Sequence, residues 1–294
     1  MKLPQLKSKG GRRQDAPPPA PTEAPLLSLG NGPPLAVAAP ALFAFLLPVV
    51  FLLRLLKKKA GSHPNWPLFQ AKMEAEGLSE TAINAFKYNF GKLTSGESLF
   101  LGEAAITPVA DLPAYESLTA EDPALLTSTV MLKLNGGLGT GMGLEKAKSL
   151  LPIKDGVTFL DFIAKQVLHM RSTFGVELAF MLMNSFSTSA DTLEALAKYD
   201  SLAAGLPLEF LQNKAPKVTK EDLSPASWPD NPGMEWCPPG HGDLYPALIG
   251  SGTLDALLAK GFKYMFVSNS DNLGATMDVK LLTWFASSGA PFAM

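Results

Sequence analysis

The residues with the clearest capacity for chemistry lie between positions 132 and 156, where the sequence reads LKLNGGLGTGMGLEKAKSLLPIKDG. Glycine fills five of the eight positions 136–143, and Lys146 and Lys148 follow. Because glycine permits left-handed backbone angles and close approach of a ligand, successive amide N–H groups can converge on phosphate oxygens or a base edge. The stretch predicts a nucleotide-binding loop, with a turn kept for packing as the alternative. It is neither the dinucleotide fingerprint, since Met142 stands at the third glycine position, nor a P-loop, since no Gly-Lys-Ser/Thr triplet closes it.

Three further side chains could act on a nucleotide or a sugar. Asp271 ends the run YMFVSNSD, and a carboxylate at the end of a buried strand can hold Mg²⁺ together with phosphate oxygens. Gln212 carries a side-chain amide that can donate to and accept from adjacent imide groups. His241 lies in the loop PPGHGD and could reach a phosphate or a sugar. Each has a plainer alternative: a turn or cap for Asp271, a solvent role for Gln212, and a surface position for His241.

The elements that must position these groups form an α/β pattern from about residue 125 onward. Short apolar runs predict strands at 130–134, 178–183, 208–211 and 264–267. Helical spacing predicts helices at 159–171, 190–198, 254–260 and 278–286. This alternation is typical of βαβ units, so we expect a mainly parallel, Rossmann-like sheet with helices on both faces. The glycine loop follows its first strand, at the edge where open parallel sheets bind ligands.

The chain ahead of this domain divides into three parts. Residues 60–124 predict a helical preface of two helices that Gly77 separates, followed by a loop. Residues 1–34 are rich in proline and alanine and predict a disordered leader. Residues 35–53 contain no charged side chain and precede a basic flank that ends at Lys59. Three interpretations stay open: a signal anchor that tethers a cytoplasmic enzyme, a removed presequence for an organelle such as a plastid, and a misplaced start or buried helix.

Charge and cysteine content exclude two further classes. The net charge is −2, so no overall positive field draws nucleic acid to the chain, and any anion must be met by a local site. The single cysteine, Cys237, cannot form an intramolecular disulfide. The chain is therefore not a disulfide-stapled secreted scaffold, and a reducing compartment is favoured.

Five stretches, in order, carry a resemblance to a known family. They are KLNGGLGTGMGLEKAKSLL, MLMNSFST, FLQNKAPKV, WCPPGHGDLYPAL and VSNSDNLGATMD. This set resembles the eukaryotic-type UTP–glucose-1-phosphate uridylyltransferases, also called UDP-glucose pyrophosphorylases, and the likeness runs from about Pro64 to Met294. Gly141 and Met142, where many members outside the glucose branch have arginine after the threonine, favour the glucose branch.

The resemblance implies transfer of a uridylyl group from UTP to glucose 1-phosphate, with Mg²⁺ as cofactor. It implies Lys148 as the catalytic, phosphate-facing cation, with Lys146 as the alternative, and Asp271 as the metal ligand. Substrate contacts would come from His241, Asn269 and Asn272. The implied nucleotide contacts are Leu134, Asn135, Gly136, Gly137, Gly139, Thr140, Gln212 and Gly240.

The chain also departs from the family pattern. It stops at SSGAPFAM, whereas members continue with further sheet strands, a second phosphate-binding lysine and a C-terminal β-helix domain. We therefore expect a C-terminally truncated fragment whose unfinished sheet exposes an edge and favours aggregation or a partner, including a second copy of the chain. Two other functions stay open: a pyrophosphorylase for another sugar 1-phosphate, such as an N-acetylhexosamine type, and a non-catalytic nucleotide-binding paralogue.

Overall fold

The structure is a computed structural model, and it describes residues 63–109, 111–139, 143 and 146–294. The leader and the apolar segment 35–53 lie outside the described residues. Within the described ranges, no helix is both long enough and apolar enough to span a bilayer.

A four-stranded parallel sheet forms the centre of the domain, which confirms the predicted fold class. Its strands are β1 (Thr129–Asn135), β4 (Ala179–Asn184), β5 (Glu209–Leu211) and β8 (Tyr264–Asn269). They lie in the order β5-β4-β1-β8, so β1 and β4 are central and β8 is an edge of the described sheet. All three pairings are parallel. The four strands match the four apolar runs of the sequence to within a few residues.

Helices cover both faces of this sheet because β1 and β4 present apolar side chains to both sides. The helices of the described residues are α1 (Trp66–Ala75), α2 (Glu80–Thr94), α3 (Phe159–Phe174), α4 (Ser189–Leu196), α5 (Leu244–Gly250), α6 (Thr253–Ala259) and α7 (Val279–Ser288). Met131 and Phe180 pack with α3, α4 and α7 in one core. Leu132 and Met181 pack with α5 and α6 in the other. The successive residues of one strand thus serve two cores, as expected for a buried parallel strand.

Local signals fix the ends of the helices that frame the sheet. Thr158 and Asp161 form a reciprocal capping box at the start of α3, where each side chain accepts the other residue's backbone N–H. Ile163 and Val167, one helical turn apart on α3, are fully buried. In the preface, Ser79 caps α2 by accepting the Ala82 N–H.

The remaining described elements are short. Two antiparallel hairpins pair β2 (Pro152–Lys154) with β3 (Val157–Thr158) and β6 (Ala215–Pro216) with β7 (Trp236–Cys237). Six 3-10 turns complete the described structure, at Glu103–Ala105, Tyr115–Ser117, Pro123–Ser128, Lys148–Leu150, Pro232–Glu235 and His241–Asp243. Two of them, at Lys148 and at His241, follow loops that the sequence singles out for chemistry.

Candidate active site

The register of the parallel sheet brings the predicted site segments to one edge. Asn135 at the end of β1 pairs with Asn184 at the end of β4, and Leu134 pairs with Asn269 at the end of β8. Beyond the strands, the Gln212 N–H donates to the Asn184 carbonyl at 2.8 Å. The Ser270 N–H donates to the Leu134 carbonyl at 3.1 Å. The glycine loop, the glutamine segment and the acidic turn therefore leave the sheet side by side.

Gly136 and Gln212 are in contact, and this contact explains the first glycine of the loop. A Cβ atom added at Gly136 would lie 2.1 Å from Gln212 Nε2, which is closer than any side chain allows. Gln212 is 5% exposed, yet its side-chain amide has no hydrogen-bond partner in the described part of the chain. A nearly buried amide with free donors and an acceptor is suited to a planar polar ligand such as a base edge.

The glycine loop folds back onto the segment that carries the two lysines. Leu138 forms an antiparallel bridge with Ala147, and the Lys148 N–H donates to the Gly137 carbonyl at 3.3 Å. Gly137 is exposed and Gly139 is buried. Thr140 lies outside the described residues. The lysine at position 148 is thus fixed at the base of the loop through its backbone.

The Asn135 side chain forms hydrogen bonds within the fold. It is buried, and its Nδ2 donates to Asn184 Oδ1 at 2.7 Å and to Thr192 Oγ1 at 3.0 Å. Asn184 Nδ2 donates in turn to Glu209 Oε2 at 2.5 Å. This network joins β1, β4, α4 and β5 just beneath the loop. Any nucleotide contact from Asn135 would therefore come from its backbone, and the same holds for Leu134, whose side chain is buried in the core.

Asp243 and Asn213 link the glutamine segment to the histidine loop, and sequence reasoning missed this link. Asp243 accepts the Asn213 N–H at 2.6 Å and its Nδ2 at 3.0 Å. Burial raises the pKa of the Asp243 carboxyl, although the hydrogen bonds from Asn213 oppose the shift. Gly240, with φ 98° and ψ −177°, turns the chain as only glycine readily does. The sequence signal was the aspartate that ends PPGHGD, directly ahead of α5.

The side chains that face solvent at this edge are the ones predicted to meet phosphate, sugar and metal. Lys148 is half-buried, whereas Lys146 and His241 are exposed. Neither the Lys148 ammonium nor the His241 ring has a hydrogen-bond or ion-pair partner within the described ranges. These cationic or polar groups are therefore available to a ligand.

Asp271 is an exposed carboxylate in the turn after β8, and no lysine or arginine of the described chain pairs with it. Asn269 is exposed too, while Asn272 accepts the Ala275 N–H through Oδ1 at 3.2 Å. No cluster of three or more acidic, histidine or cysteine side chains occurs among the described residues. One free carboxylate at the ligand edge fits Mg²⁺, which keeps few protein ligands and takes the rest from phosphates and water.

A parallel α/β sheet whose carboxyl edge carries a glycine loop, a buried glutamine against it and a neighbouring acidic turn has the architecture of the nucleotidyltransferase-like class. The family model described as UTP--glucose-1-phosphate uridylyltransferase matches residues 84–294. The chain belongs to this family.

Individual relatives agree with that assignment. The UTP--glucose-1-phosphate uridylyltransferase of Solanum tuberosum is 44% identical over 214 residues, which cover 70% of this chain and 45% of the relative. The enzyme of that name from Saccharomyces cerevisiae is 42% identical over 175 residues, covering 59% of this chain and 35% of the relative.

Solved structures place the fold in the same family. A mutant UDP-glucose pyrophosphorylase from Leishmania major, crystallised in complex with UDP-glucose, has a TM-score of 0.71 and 48% identity. The match covers 76% of this chain and 48% of that one. A UDP-glucose phosphorylase from Trypanosoma brucei has a TM-score of 0.70 and 45% identity, with 76% and 49% covered. The chain therefore spans about half the length of the relatives it matches.

Proposed function

We propose that this chain binds UTP and takes part in the transfer of its uridylyl group to glucose 1-phosphate, which yields UDP-glucose and pyrophosphate. The observation that carries the proposal is the buried Gln212 amide, which lies against Gly136 with its hydrogen-bonding groups free. An amide offers one donor and one acceptor to the imide edge of uracil. The names of the relatives, and the UDP-glucose bound to the Leishmania protein, support the same assignment.

The nucleotide would lie across the carboxyl edge of β1. Backbone groups of Gly136, Gly137 and Gly139 would approach it closely, with Leu134 and Asn135 contributing through their backbones. Thr140 and Gly240 complete the proposed nucleotide contacts. The Asn213–Asp243 link would keep the glutamine segment and the Gly240 loop in a fixed relation while the base binds.

The reaction requires stabilisation of negative charge on the phosphates more than it requires proton transfer. A phosphate oxygen of glucose 1-phosphate, already anionic, attacks the α-phosphorus of UTP in line. The new P–O bond forms as the bond from the α-phosphorus to the bridging oxygen breaks, and pyrophosphate leaves with the electron pair. No general base is needed, so the protein must align two polyanions and stabilise the charge that develops. We assign this stabilisation to the free ammonium of Lys148.

The acceptor and the metal would occupy the exposed part of the edge. Asp271 would hold Mg²⁺ together with phosphate oxygens, and His241, Asn269 and Asn272 would contact the sugar phosphate. Bound Mg²⁺ supplies neutralising charge to the phosphates.

Two measurements on the 294-residue chain test the proposal. Calorimetry should show binding of UTP in preference to CTP, and release of pyrophosphate from UTP, Mg²⁺ and glucose 1-phosphate should exceed that with N-acetylglucosamine 1-phosphate. The reverse sugar preference would indicate the other pyrophosphorylase class. UTP binding without turnover would support the non-catalytic alternative, and failure to distinguish UTP from CTP would contradict the proposal itself.

A pair of lysine variants separates catalysis from binding. Lys148→Ala should lower turnover about 100-fold while UTP affinity changes little, because the ammonium stabilises charge of the transition state. Lys146→Ala removes an exposed neighbouring charge and serves as the matched control. Equal losses of turnover and UTP affinity in Lys148→Ala would contradict the role.

A further inference from the structure

Lys133 is a fully buried lysine in the middle of the central strand β1. It is 0% exposed and follows Met131 on the face that packs with α3 and α7. Its ammonium donates to Ser268 Oγ at 2.7 Å and to the Ala275 carbonyl at 2.8 Å. The ammonium also lies 5.7 Å from the ring centroid of Phe266. No carboxylate forms an ion pair with it in the described part of the chain.

Such a lysine is not what packing alone would select. An ammonium without a carboxylate loses its hydration on burial, and an apolar side chain of similar volume would fill the space without that cost. Burial accordingly lowers the pKa of Lys133 to about 8. The two hydrogen bonds from the Lys133 ammonium replace part of the hydration that it loses on burial.

The two acceptors stand on either side of the turn that carries the acidic residue. We define the β8 turn as residues 270–275. Ser268 lies in β8 directly opposite Lys133 in the sheet register, ahead of the turn, and Ala275 closes the turn on its far side. Lys133 therefore fixes both ends of the turn to the central strand. Asp271 lies between these two ends and has no side-chain partner of its own in the described chain.

Two further hydrogen bonds join this turn to other elements. The Ser270 N–H donates to the Leu134 carbonyl at 3.1 Å, and Gln166 Nε2 donates to the Leu273 carbonyl at 3.2 Å. The turn also has hydrogen bonds of its own, such as that from the Ala275 N–H to Asn272 Oδ1, and Leu273 packs against the core. β8 is an edge of the described sheet, so no strand of the described chain pairs with it on its other side. Among the hydrogen bonds from other side chains of the described residues, only those of Lys133 Nζ reach both sides of the turn.

We propose that Lys133 is a positioning residue that holds the β8 turn, and with it the Asp271 carboxylate, in place for a divalent metal–nucleotide complex. The metal part of this proposal rests on the proposed function. Lys133 itself touches neither metal nor nucleotide, because its ammonium is buried beneath the turn. Two hydrogen bonds from a residue on a central strand can fix the turn that carries a metal ligand, and with it the orientation of that ligand.

The test compares three variants of the 294-residue chain. Lys133→Met keeps the length and apolar body of the side chain and removes both hydrogen bonds. Ser268→Ala removes one acceptor and leaves the lysine. Lys263→Met is the matched control, because it removes an exposed lysine just ahead of β8. For each we would measure hydrogen–deuterium exchange of peptides from the β8 turn and from β4, Mn²⁺ binding by electron paramagnetic resonance with UTP present, and metal-free UTP binding by calorimetry.

The expected result is local. In Lys133→Met the β8 turn should exchange about tenfold faster while β4 keeps its protection. The Mn²⁺ affinity in the presence of UTP should fall about tenfold while metal-free UTP affinity is retained. Ser268→Ala should shift both readouts in the same direction by less, and Lys263→Met should shift neither.

Two outcomes would overturn the proposal: unchanged exchange of the β8 turn in both Lys133→Met and Ser268→Ala, or faster exchange spread equally over β4 and the turn, which would mark a merely structural lysine. Should Lys133→Met fail to fold, Ser268→Ala decides by the same criteria. If the parent chain does not bind UTP, the proposed function fails, while the exchange measurement still decides whether Lys133 holds the turn.

Discussion

The polar side chains at the ligand edge of the sheet form two groups, and the protein holds them in different ways. The inner group lies at the ends of β1, β4 and β5 and in the turn ahead of α5, and its members are nearly inaccessible to solvent. The outer group lies on the surrounding loops and at the end of β8, and it is half-buried or exposed. The inner group comprises Asn135, Asn184, Gln212 and Asp243. The outer group comprises Lys148, His241, Asn269, Asp271 and Asn272.

The difference lies in the hydrogen bonds. Within the inner group, Asn135, Asn184 and Asp243 are bonded to partners on neighbouring elements, and the backbone of Gln212 and Asn213 is held by the Asn184 carbonyl and the Asp243 carboxylate before any ligand binds. In the outer group only Asn272 has a side-chain hydrogen bond in the described chain. A prearranged inner group loses little conformational entropy on binding and can discriminate between bases. Outer groups without partners can instead adapt to the charges of phosphates and metal.

Lys133 ties the turn that carries Asp271 to β1, the strand that ends at Asn135, and the pH dependence of stability is the largest effect expected from it. Its pKa is lowered from 10.5 to about 8 in the folded chain, so between these values the unfolded chain binds more protons than the folded one. The free energy of unfolding should therefore rise with pH across that window, by up to about 3 kcal/mol relative to Lys133→Met. Urea denaturation of both proteins between pH 7.5 and about 10.5 measures the difference. A difference that stays constant over this range would contradict the burial of an unpaired ammonium.

Gly136→Ala should weaken UTP binding, because it changes the position of the Gln212 amide. The new Cβ would displace the Gln212 amide, which is the flexible end of a side chain, so stability should change little. UTP affinity should fall about 30-fold, which corresponds to about 2 kcal/mol. Gly137→Ala is the matched control, since a Cβ there meets nothing within 4 Å, and it should keep the preference for UTP over CTP. Loss of that preference in Gly137→Ala but not in Gly136→Ala would contradict the assignment of Gln212.

Asp243→Ala should remove the hydrogen bonds that Asn213 donates to the Asp243 carboxylate and so lower the stability of the folded chain. The variant leaves the part-buried Asn213 N–H without its acceptor, at a cost of about 1.5 kcal/mol in the free energy of unfolding. Asp243→Asn keeps one acceptor oxygen and should lose less. Urea denaturation measures both, with Asp255→Asn on the exposed start of α6 as the control. Equal stability of all three variants would show that the Asn213–Asp243 link contributes nothing.

Substitution of Ser149 should have the smallest effect, and it should raise the stability of the folded chain where the changes above lower stability or binding. Ser149 follows Lys148 and is fully buried, and its hydroxyl oxygen has no hydrogen-bond partner among the described residues. Ser149→Ala should therefore raise the free energy of unfolding by about 1 kcal/mol. Ser185→Ala is the matched buried control, because Ser185 Oγ is bonded to Thr188 and to the Ser187 N–H, and it should lower stability. Thermal denaturation of both decides, and a loss in Ser149→Ala would contradict an unpartnered hydroxyl.

The fold was readable from the sequence wherever an element had enough length to show a period. The run that became β4 is apolar over six residues and that of β8 over four, while the run of β1 is interrupted by Lys133 alone. Helix α3 repeats its apolar positions through Ile163 and Val167. The two hairpins were not predicted, because strands of two or three residues show no alternation. Helix ends shifted by a few residues, as in α4, which ends at Leu196 where Lys198 was predicted.

The site could be predicted only in part, because several of its residues are held by partners far away in the sequence. Gln212 and Asp271 could be singled out because their chemistry and their motifs pointed the same way, although their ligand roles remain predictions. Lys133 was missed because a lysine in a strand normally marks an exposed position, and its acceptors lie more than 130 residues further along the chain. Asp243 was missed because it reads as a loop residue, and its partner Asn213 belongs to another segment. Pairs that form only in the folded chain leave no local pattern.

The inner group should recognise uracil before any metal or sugar phosphate binds. Calorimetric titration of UTP and CTP, without divalent metal, into the 294-residue chain and into Gln212→Leu tests this directly. We expect the parent to prefer UTP about tenfold and Gln212→Leu to bind both nucleotides weakly and without preference. An undiminished preference for UTP in Gln212→Leu would contradict it.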